Sequence, residues 1–97
     1  MIDREMVIYL VGPLADWLEH GGDAEQEDLA YWERREKVQA HGGYGWGAAA
    51  DLLGQLDVLL DSFNPDPDHL DVEVDEAELR VGVEEIITGL WELGLLP

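Results

Sequence analysis

Hydroxyl and thiol side chains that could act as nucleophiles are scarce in this chain. It contains one serine, Ser62, one threonine, Thr88, and no cysteine. A catalytic hydroxyl needs an adjacent base to activate it, whereas Ser62 precedes Phe63 near the end of a predicted helix, where a solvent-facing hydroxyl is the ordinary explanation. The lack of cysteine excludes disulfides and thiol redox chemistry. We therefore predict that the protein is not an enzyme.

Residue types that bind metals are present, but their spacing does not favour a metal site. No two of His20, His41 and His69 share a zinc-type spacing. His20 and His41 each precede a Gly-Gly pair at a predicted helix end, where a cationic imidazole complements the terminal carbonyls. The segment Asn64–Asp71 has oxygen ligands at alternate positions, but it lacks the glycine of a calcium loop and contains two prolines. We predict no metal and no cofactor; weak cation binding by this acidic segment is the alternative.

The glycine-rich segment Gly42–Gly47 contains two aromatic residues, Tyr44 and Trp46. It is not a phosphate-binding loop, because the Lys-Ser/Thr ending and a convincing preceding strand are missing. Two interpretations remain open: a connection whose aromatic side chains pack on the core, or a contact loop that presents them to a partner. Tyr44 and Trp46 are therefore candidate partner-binding residues.

Acidity is the extreme property of the chain. Its 97 residues include 23 Asp and Glu against five Lys and Arg, which gives a formal charge of −18. Nucleic acids and anionic membranes attract proteins mainly through Lys and Arg, so we expect neither direct nucleic-acid binding nor membrane association. The sequence shows no signal peptide and no run of about 20 apolar residues, and we expect a cytoplasmic protein.

The acidic residues are concentrated late in the chain. Eleven of them lie within Asp61–Glu92, against the single basic residue Arg80. Asp71, Glu73 and Asp75 alternate with apolar residues, so extended backbone would place their carboxylates on one face, about 6.6 Å apart. That distance is close to twice the rise of about 3.4 Å per phosphate along one DNA strand. The candidate partner-binding acids are Asp66, Asp68, Asp71, Glu73, Asp75, Glu76 and Glu78.

Three clusters of helix-breaking residues divide the chain into four segments with an apolar pattern. The clusters are Gly21-Gly22, Gly42–Gly47 and Asn64-Pro65-Asp66-Pro67-Asp68. The periodicity between them predicts four helices, at Asp3–His20, Asp23–Ala40, Trp46–Phe63 and about Glu76–Leu93. The predicted fold is mainly all-α: one domain, residues 1–97, like a small four-helix bundle with a Pro-rich acidic loop and, as an alternative, one short extended segment.

The first segment allows two interpretations. Gly12-Pro13 interrupts its helical spacing, and because proline lacks a donor and clashes with the preceding turn, we expect a kink or a break there. The alternative is a strand at Met6–Val11 with a helix that opens at Pro13. Ile8–Pro13 resembles the strand-to-Gly-Pro opening of nucleoside deoxyribosyltransferase-like α/β proteins, which implies that strand. The resemblance covers six residues and no further parallel-strand pattern follows, so it assigns no active-site residue.

The remaining segments differ in how much core they supply. The second has few apolar residues and is predicted to contribute least, whereas the third and fourth carry clear apolar stripes. Asp75-Glu76-Ala77-Glu78 has the form of a capping box, and Gly94 stands where a C-terminal glycine cap belongs. The tail Gly89–Pro97 is unusually apolar for a chain end. It either packs on its own core or seals a homodimer.

Two functions fit these observations. The first is a non-enzymatic acidic interaction protein that binds a basic protein partner, as nucleic-acid-mimicking inhibitors and immunity-type proteins do. The second is a halophilic helical scaffold or oligomer subunit whose acidity serves solvation in high salt. The concentration of acid after Asp61 favours the first, because a solvating coat needs no such asymmetry.

Overall fold

A computed structural model describes residues 4–40, 47–64 and 73–96, and the predicted all-α fold is confirmed. The described residues form four helices, with 82% of them helical, and no strand. Their bounds lie close to those predicted from the sequence. The helices are α1 (Arg4–His20), α2 (Ala24–Ala40), α3 (Ala48–Asp61) and α4 (Glu76–Glu92).

Apolar side chains from all four helices form one core. Each helix contributes from one face, as expected for helices that bury a single stripe, but α2 supplies only Ala24, Tyr31 and Val38. With the partly buried Trp32, α2 places four apolar residues in or against the core, fewer than each of the other helices, which confirms that it contributes least. The remaining core residues are Val7, Leu10, Val11, Leu14, Trp17, Leu53, Leu56, Leu60, Leu79, Val83, Ile86 and Leu90.

Pro13 lies inside α1 without ending it, so the predicted break and the alternative strand at Met6–Val11 are both wrong. The residue before a proline normally avoids helical backbone because its Cβ meets the proline ring, but Gly12 has no Cβ. Proline also lacks the amide that would donate to the carbonyl four residues earlier, here that of Tyr9 in the preceding turn. In that turn the Leu10 carbonyl oxygen accepts from Nε and Nη2 of Arg34 in α2, at 3.4 and 3.2 Å. The sequence pattern thus permits a helix through Pro13.

Helices α3 and α4 run antiparallel and approach closely at two glycines. A Cβ added at Gly82 would lie 2.6 Å from Cδ2 of Leu59, and one at Gly89 would lie 3.0 Å from Cδ1 of Leu52. Both pairs are seven residues apart along their helices, or two helical turns. Leucines of α3 therefore pack into spaces that the missing side chains leave on α4.

Both ends of α4 are capped as the sequence predicts. The Asp75 carboxylate accepts from the Glu78 amide at 2.8 Å, which satisfies one of the free amides of the first turn. At the other end Gly94 has φ +76°, and the Gly94 and Leu95 amides donate to the Trp91 and Leu90 carbonyls at 2.9 and 3.0 Å. This pattern is a Schellman motif, which needs the left-handed backbone that glycine adopts readily.

The connection before α4 is fixed by one bridge. Val74 forms an isolated parallel bridge with Phe63, in which the Asn64 amide donates to the Val74 carbonyl at 2.8 Å and the Val74 amide donates to the Ser62 carbonyl at 2.9 Å. Of the residues predicted to alternate, only Glu73, Val74 and Asp75 lie within the described residues, and Val74 is the one that forms this bridge.

Judged by length and hydropathy, none of the helices in the described part of the chain could span a lipid bilayer.

Candidate partner-binding surface

Four of the acids predicted to bind a partner lie near the start of α4 within the described residues, and three of them have local structural roles. Asp75 caps the helix, the Glu73 carboxylate accepts from Nδ2 of Asn64 at 3.2 Å, and Glu76 pairs with Arg80 at 3.5 Å. Glu78 lies exposed in the first turn, where the helix dipole also favours a negative charge. Of these four, Glu78 presents the most available carboxylate.

Five of the predicted partner-binding residues lie outside the described residues. They are Tyr44, Trp46, Asp66, Asp68 and Asp71. Their contribution to a binding surface stays a prediction.

A line of glutamates runs along the exposed side of α4. Glu78, Glu85 and Glu92 are exposed and stand seven residues apart, so they repeat every two turns at about 10.5 Å along one side of the helix. We name these three residues the α4 acidic stripe. None of the three has an ion-pair partner within residues 4–40, 47–64 and 73–96. The stripe thus offers carboxylates that the fold itself does not use.

Most of the basic side chains are bound within the protein. Arg34 donates to the Leu10 carbonyl, and Arg35 pairs through Nε with Oδ2 of Asp57 at 3.2 Å. The Arg80 guanidinium lies 4.4 Å from the ring centroid of Trp17, in cation–π geometry. Arg4 and Lys37, the other two basic residues of the chain, are exposed. Three of the five basic side chains are therefore engaged by other groups of the same chain.

Burial shifts two titratable groups at the α2 side. Desolvation raises the pKa of Asp28 above its usual 3.8; the hydrogen bond from Trp32 Nε1 acts in the opposite direction, and the charge of Asp61 adds to the rise. Desolvation likewise lowers the pKa of Arg34, against the opposing effect of nearby acidic groups such as Glu27. Neither group lies with a nucleophile in the arrangement that catalysis requires.

An apolar groove of about 380 Å³ lies between α1 and α4. Its lining residues come from α1, from α4 and from the tail that follows α4, and they are mostly apolar. Trp91 is the largest and is 60% exposed. The apolar tail thus divides, because Leu95 and Leu96 pack against the core while Trp91 and Leu93 remain exposed. The groove residues are Ile8, Gly12, Ala15, Asp16, Ile87, Thr88, Trp91 and Leu96.

Only part of this groove could be predicted from the sequence. The tail Gly89–Pro97 is unusually apolar, but no sequence pattern connects the tail with α1. The available signal was Ile8 and Trp91, two large apolar residues that lie outside the apolar stripes of their helices. Only the packing of α1 against α4 shows that these residues share one groove.

No side-chain group suited to covalent or metal chemistry is assembled in the described part of the chain. Ser62 follows α3 as its C-cap, and Thr88 is exposed at the groove. The imidazole Nε2 of His20 lies 4.0 Å from the carboxylate of Glu19 at the exposed end of α1. Among the described residues, no three His, Cys, Asp or Glu side chains are close enough to hold a metal ion.

Comparisons of the chain with models of known protein families, with curated proteins and with solved structures found no match.

Proposed function

We propose that this chain is a non-enzymatic acidic interaction protein that binds a basic protein surface. The binding would inhibit or escort the partner, in the manner of a nucleic-acid mimic or an immunity-type protein. The observation that carries the proposal is the separation of charges: Arg34, Arg35 and Arg80 are bound within the protein, while the α4 acidic stripe faces solvent.

Electrostatics then determines how such a partner would be recognised. A negative surface raises the rate at which a positive surface is encountered, and the effect falls as salt screens both charges. Carboxylates spaced about 10.5 Å apart along a helix can each meet a different Lys or Arg on a surface that otherwise holds phosphates. Binding should therefore weaken steeply as the salt concentration rises.

The test is affinity capture from the native host extract with the full chain immobilised, followed by mass spectrometry. The stripe variant carries Glu78→Gln, Glu85→Gln and Glu92→Gln. The control carries Glu25→Gln, Glu33→Gln and Glu36→Gln on α2, so both lose three charges and one first-turn glutamate. We expect a basic partner whose affinity falls about tenfold or more in the stripe variant, at roughly 0.5 kcal/mol for each charge, and changes less in the control.

Salt and a competing polyanion complete the test. Binding of the captured partner should weaken from low to high salt, and duplex DNA should displace the protein if the occupied surface normally holds nucleic acid. An affinity that is unchanged or improved by salt would contradict the proposal, as would equal losses in the stripe and control variants.

A second candidate is a helical subunit whose acidity serves solvation in high salt. It is favoured by exposed acids on every helix, among them Glu19, Glu36, Asp51 and Glu85. Thermal melts in low and molar salt separate the two functions. A halophilic fold should be lost at low salt, where its charges repel without screening, whereas a dedicated binding protein should fold in both conditions.

A further inference from the structure

The groove between α1 and α4 combines an apolar floor with an exposed tryptophan. Ile8, Ala15 and Ile87 line the floor beside Trp91, and Ile8 and Trp91 are 39% and 60% exposed. Tryptophan is among the residues that contribute most to binding energy when a partner covers them. Exposed apolar residues that line one groove mark an interaction site more strongly than the same residues scattered singly.

Acidic residues surround this floor. Residues three or four apart on a helix are neighbours on its surface, and the acids one turn from the floor residues are all exposed. The one basic residue at a corresponding position is Arg4, in the first turn of α1; Arg80 stands two turns before Ile87 and is held by Glu76 and Trp17. The rim therefore has a net negative charge, from Glu5, Glu19 and Glu84 and from Asp16, which itself lines the groove.

The dimensions of the groove suit a helix. Ile8 and Ala15 are seven residues apart, which corresponds to about 10.5 Å along α1. An added helix that lies along the groove presents its side chains i and i+7 at the same separation, with i+3 and i+4 between them. Two antiparallel helices with an apolar seam also accept a further helix as bundles do.

We propose that the α1/α4 groove binds an amphipathic helix of a partner protein, with apolar side chains in the groove and Lys or Arg facing the rim. The inference rests on the proposed function, because it takes a basic partner, and it adds a contact away from the α4 acidic stripe. A second copy of this chain fits less well. It carries the same charge of −18, so a homodimer through this groove would bring two acidic rims together.

The probe is a synthetic leucine–lysine peptide with leucines at i, i+3, i+4 and i+7 and lysines elsewhere, labelled for fluorescence anisotropy. It is compared at low salt with a scrambled isomer, which keeps the charge and loses the apolar face, and with a leucine–glutamine peptide, which keeps the face and loses the charge. The full chain should bind the amphipathic lysine peptide most tightly. Equal affinity for the scrambled isomer would overturn the inference.

Matched truncations locate the binding. Trp91→Ala should weaken peptide binding about tenfold or more, as the loss of a central aromatic anchor does. Val81→Ala should change it less than about twofold, because Val81 is a comparably exposed apolar residue on α4 (57%) that does not line the groove. Circular dichroism confirms that both variants fold. Equal effects of the two truncations would overturn the inference.

The two proposals fail in different ways. If the stripe variant loses its host partner while the peptide does not distinguish Trp91→Ala from Val81→Ala, the groove inference fails and the proposed function stands. If the leucine–glutamine peptide binds as tightly as the lysine peptide, the basic character assigned to the groove's partner is wrong. Sedimentation of the protein alone is the remaining check, because a dimer that Trp91→Ala dissociates would assign the groove to a second copy instead.

Discussion

Helix α3 is joined to its two neighbours by opposite kinds of contact. Towards α4 the contact is apolar and close, with Leu59 against Gly82 and Leu52 against Gly89. Towards α2 it is polar: Asp57 accepts from the Tyr31 hydroxyl at 2.5 Å through Oδ1 and from Nε of Arg35 at 3.2 Å through Oδ2. We name these the glycine contact and the Asp57 contact.

The difference between them follows from composition. Helix α2 buries few apolar residues, so little apolar area is available to hold it against α3. Directional hydrogen bonds from the buried Tyr31 and the half-buried Arg35 hold the two helices together instead. Such bonds are strong only while every partner is present, because a polar group left unpaired away from water costs free energy. We therefore expect that removing a polar group at the Asp57 contact destabilises the protein. At the glycine contact, adding a side chain should do so.

The largest effect is expected at Asp57. Asp57→Ala removes the acceptor of both Tyr31 and Arg35, whose side chains lie largely away from water. We expect a loss of about 2–3 kcal/mol in the free energy of unfolding, measured by urea denaturation. Asp51→Ala is the control, because it removes the same charge at an exposed position of the same helix.

A smaller version of the same change tests whether the hydrogen bond matters. Tyr31→Phe keeps the buried ring and removes only the hydroxyl that donates to Asp57, so its cost should be lower than that of Asp57→Ala. If Asp57→Ala costs no more than Asp51→Ala, the Asp57 contact does not hold α2 to α3.

The glycine contact should be weakened when a side chain is added, not when one is removed. Alanine is a better helix former than glycine by about 1 kcal/mol, and a Cβ at Gly54 meets nothing within 4 Å, so Gly54→Ala should stabilise the protein by up to that amount. Gly82→Ala places a Cβ 2.6 Å from Leu59 and forces that leucine to move. We expect Gly82→Ala to be about 1–2 kcal/mol less stable than Gly54→Ala in urea denaturation. Equal stabilities would mean that the packing there is loose.

Much of the fold was predictable because its signals are local. The helix bounds follow from apolar periodicity and breakers, and the caps at Asp75 and Gly94 follow from residue types that satisfy free backbone groups at helix ends. A helix over Asp3–His20 was predicted with a kink or a break at Pro13, and the break is absent. The rule for proline is also local and does not include Arg34 of α2, which donates to the Leu10 carbonyl in the turn before Pro13.

The candidate site was less predictable than the fold. Charge and composition indicated an acidic surface, but they could not show that Glu73 would accept a hydrogen bond from Asn64. Nor could they show that Arg34, Arg35 and Arg80 would each bind a group on another helix. These facts depend on contacts between distant segments, which a pattern read along one helix does not contain.

The smallest expected effect lies beside the Asp57 contact, at Asp28. Its raised pKa means that ionised Asp28 is held less favourably in the folded than in the unfolded protein. Asp28→Asn keeps an oxygen that can accept from Trp32 Nε1 and removes the charge that burial disfavours. At pH 7 we expect a gain of less than about 1 kcal/mol, because solvent screens a partly exposed carboxylate.

The size of this effect, but not its sign, depends on pH. The full gain is present above the raised folded-state pKa, and it disappears as the pH falls through that value towards the ordinary 3.8, where wild-type Asp28 becomes protonated too. Glu36→Gln removes one charge from an exposed position of α2 and serves as the control. Thermal melts across this pH range should show the Asp28→Asn gain exceeding that of Glu36→Gln at neutral pH. If the gain in stability from Asp28→Asn is no larger than that from Glu36→Gln, burial does not destabilise ionised Asp28. The carboxylate would then behave like one on an exposed surface of α2.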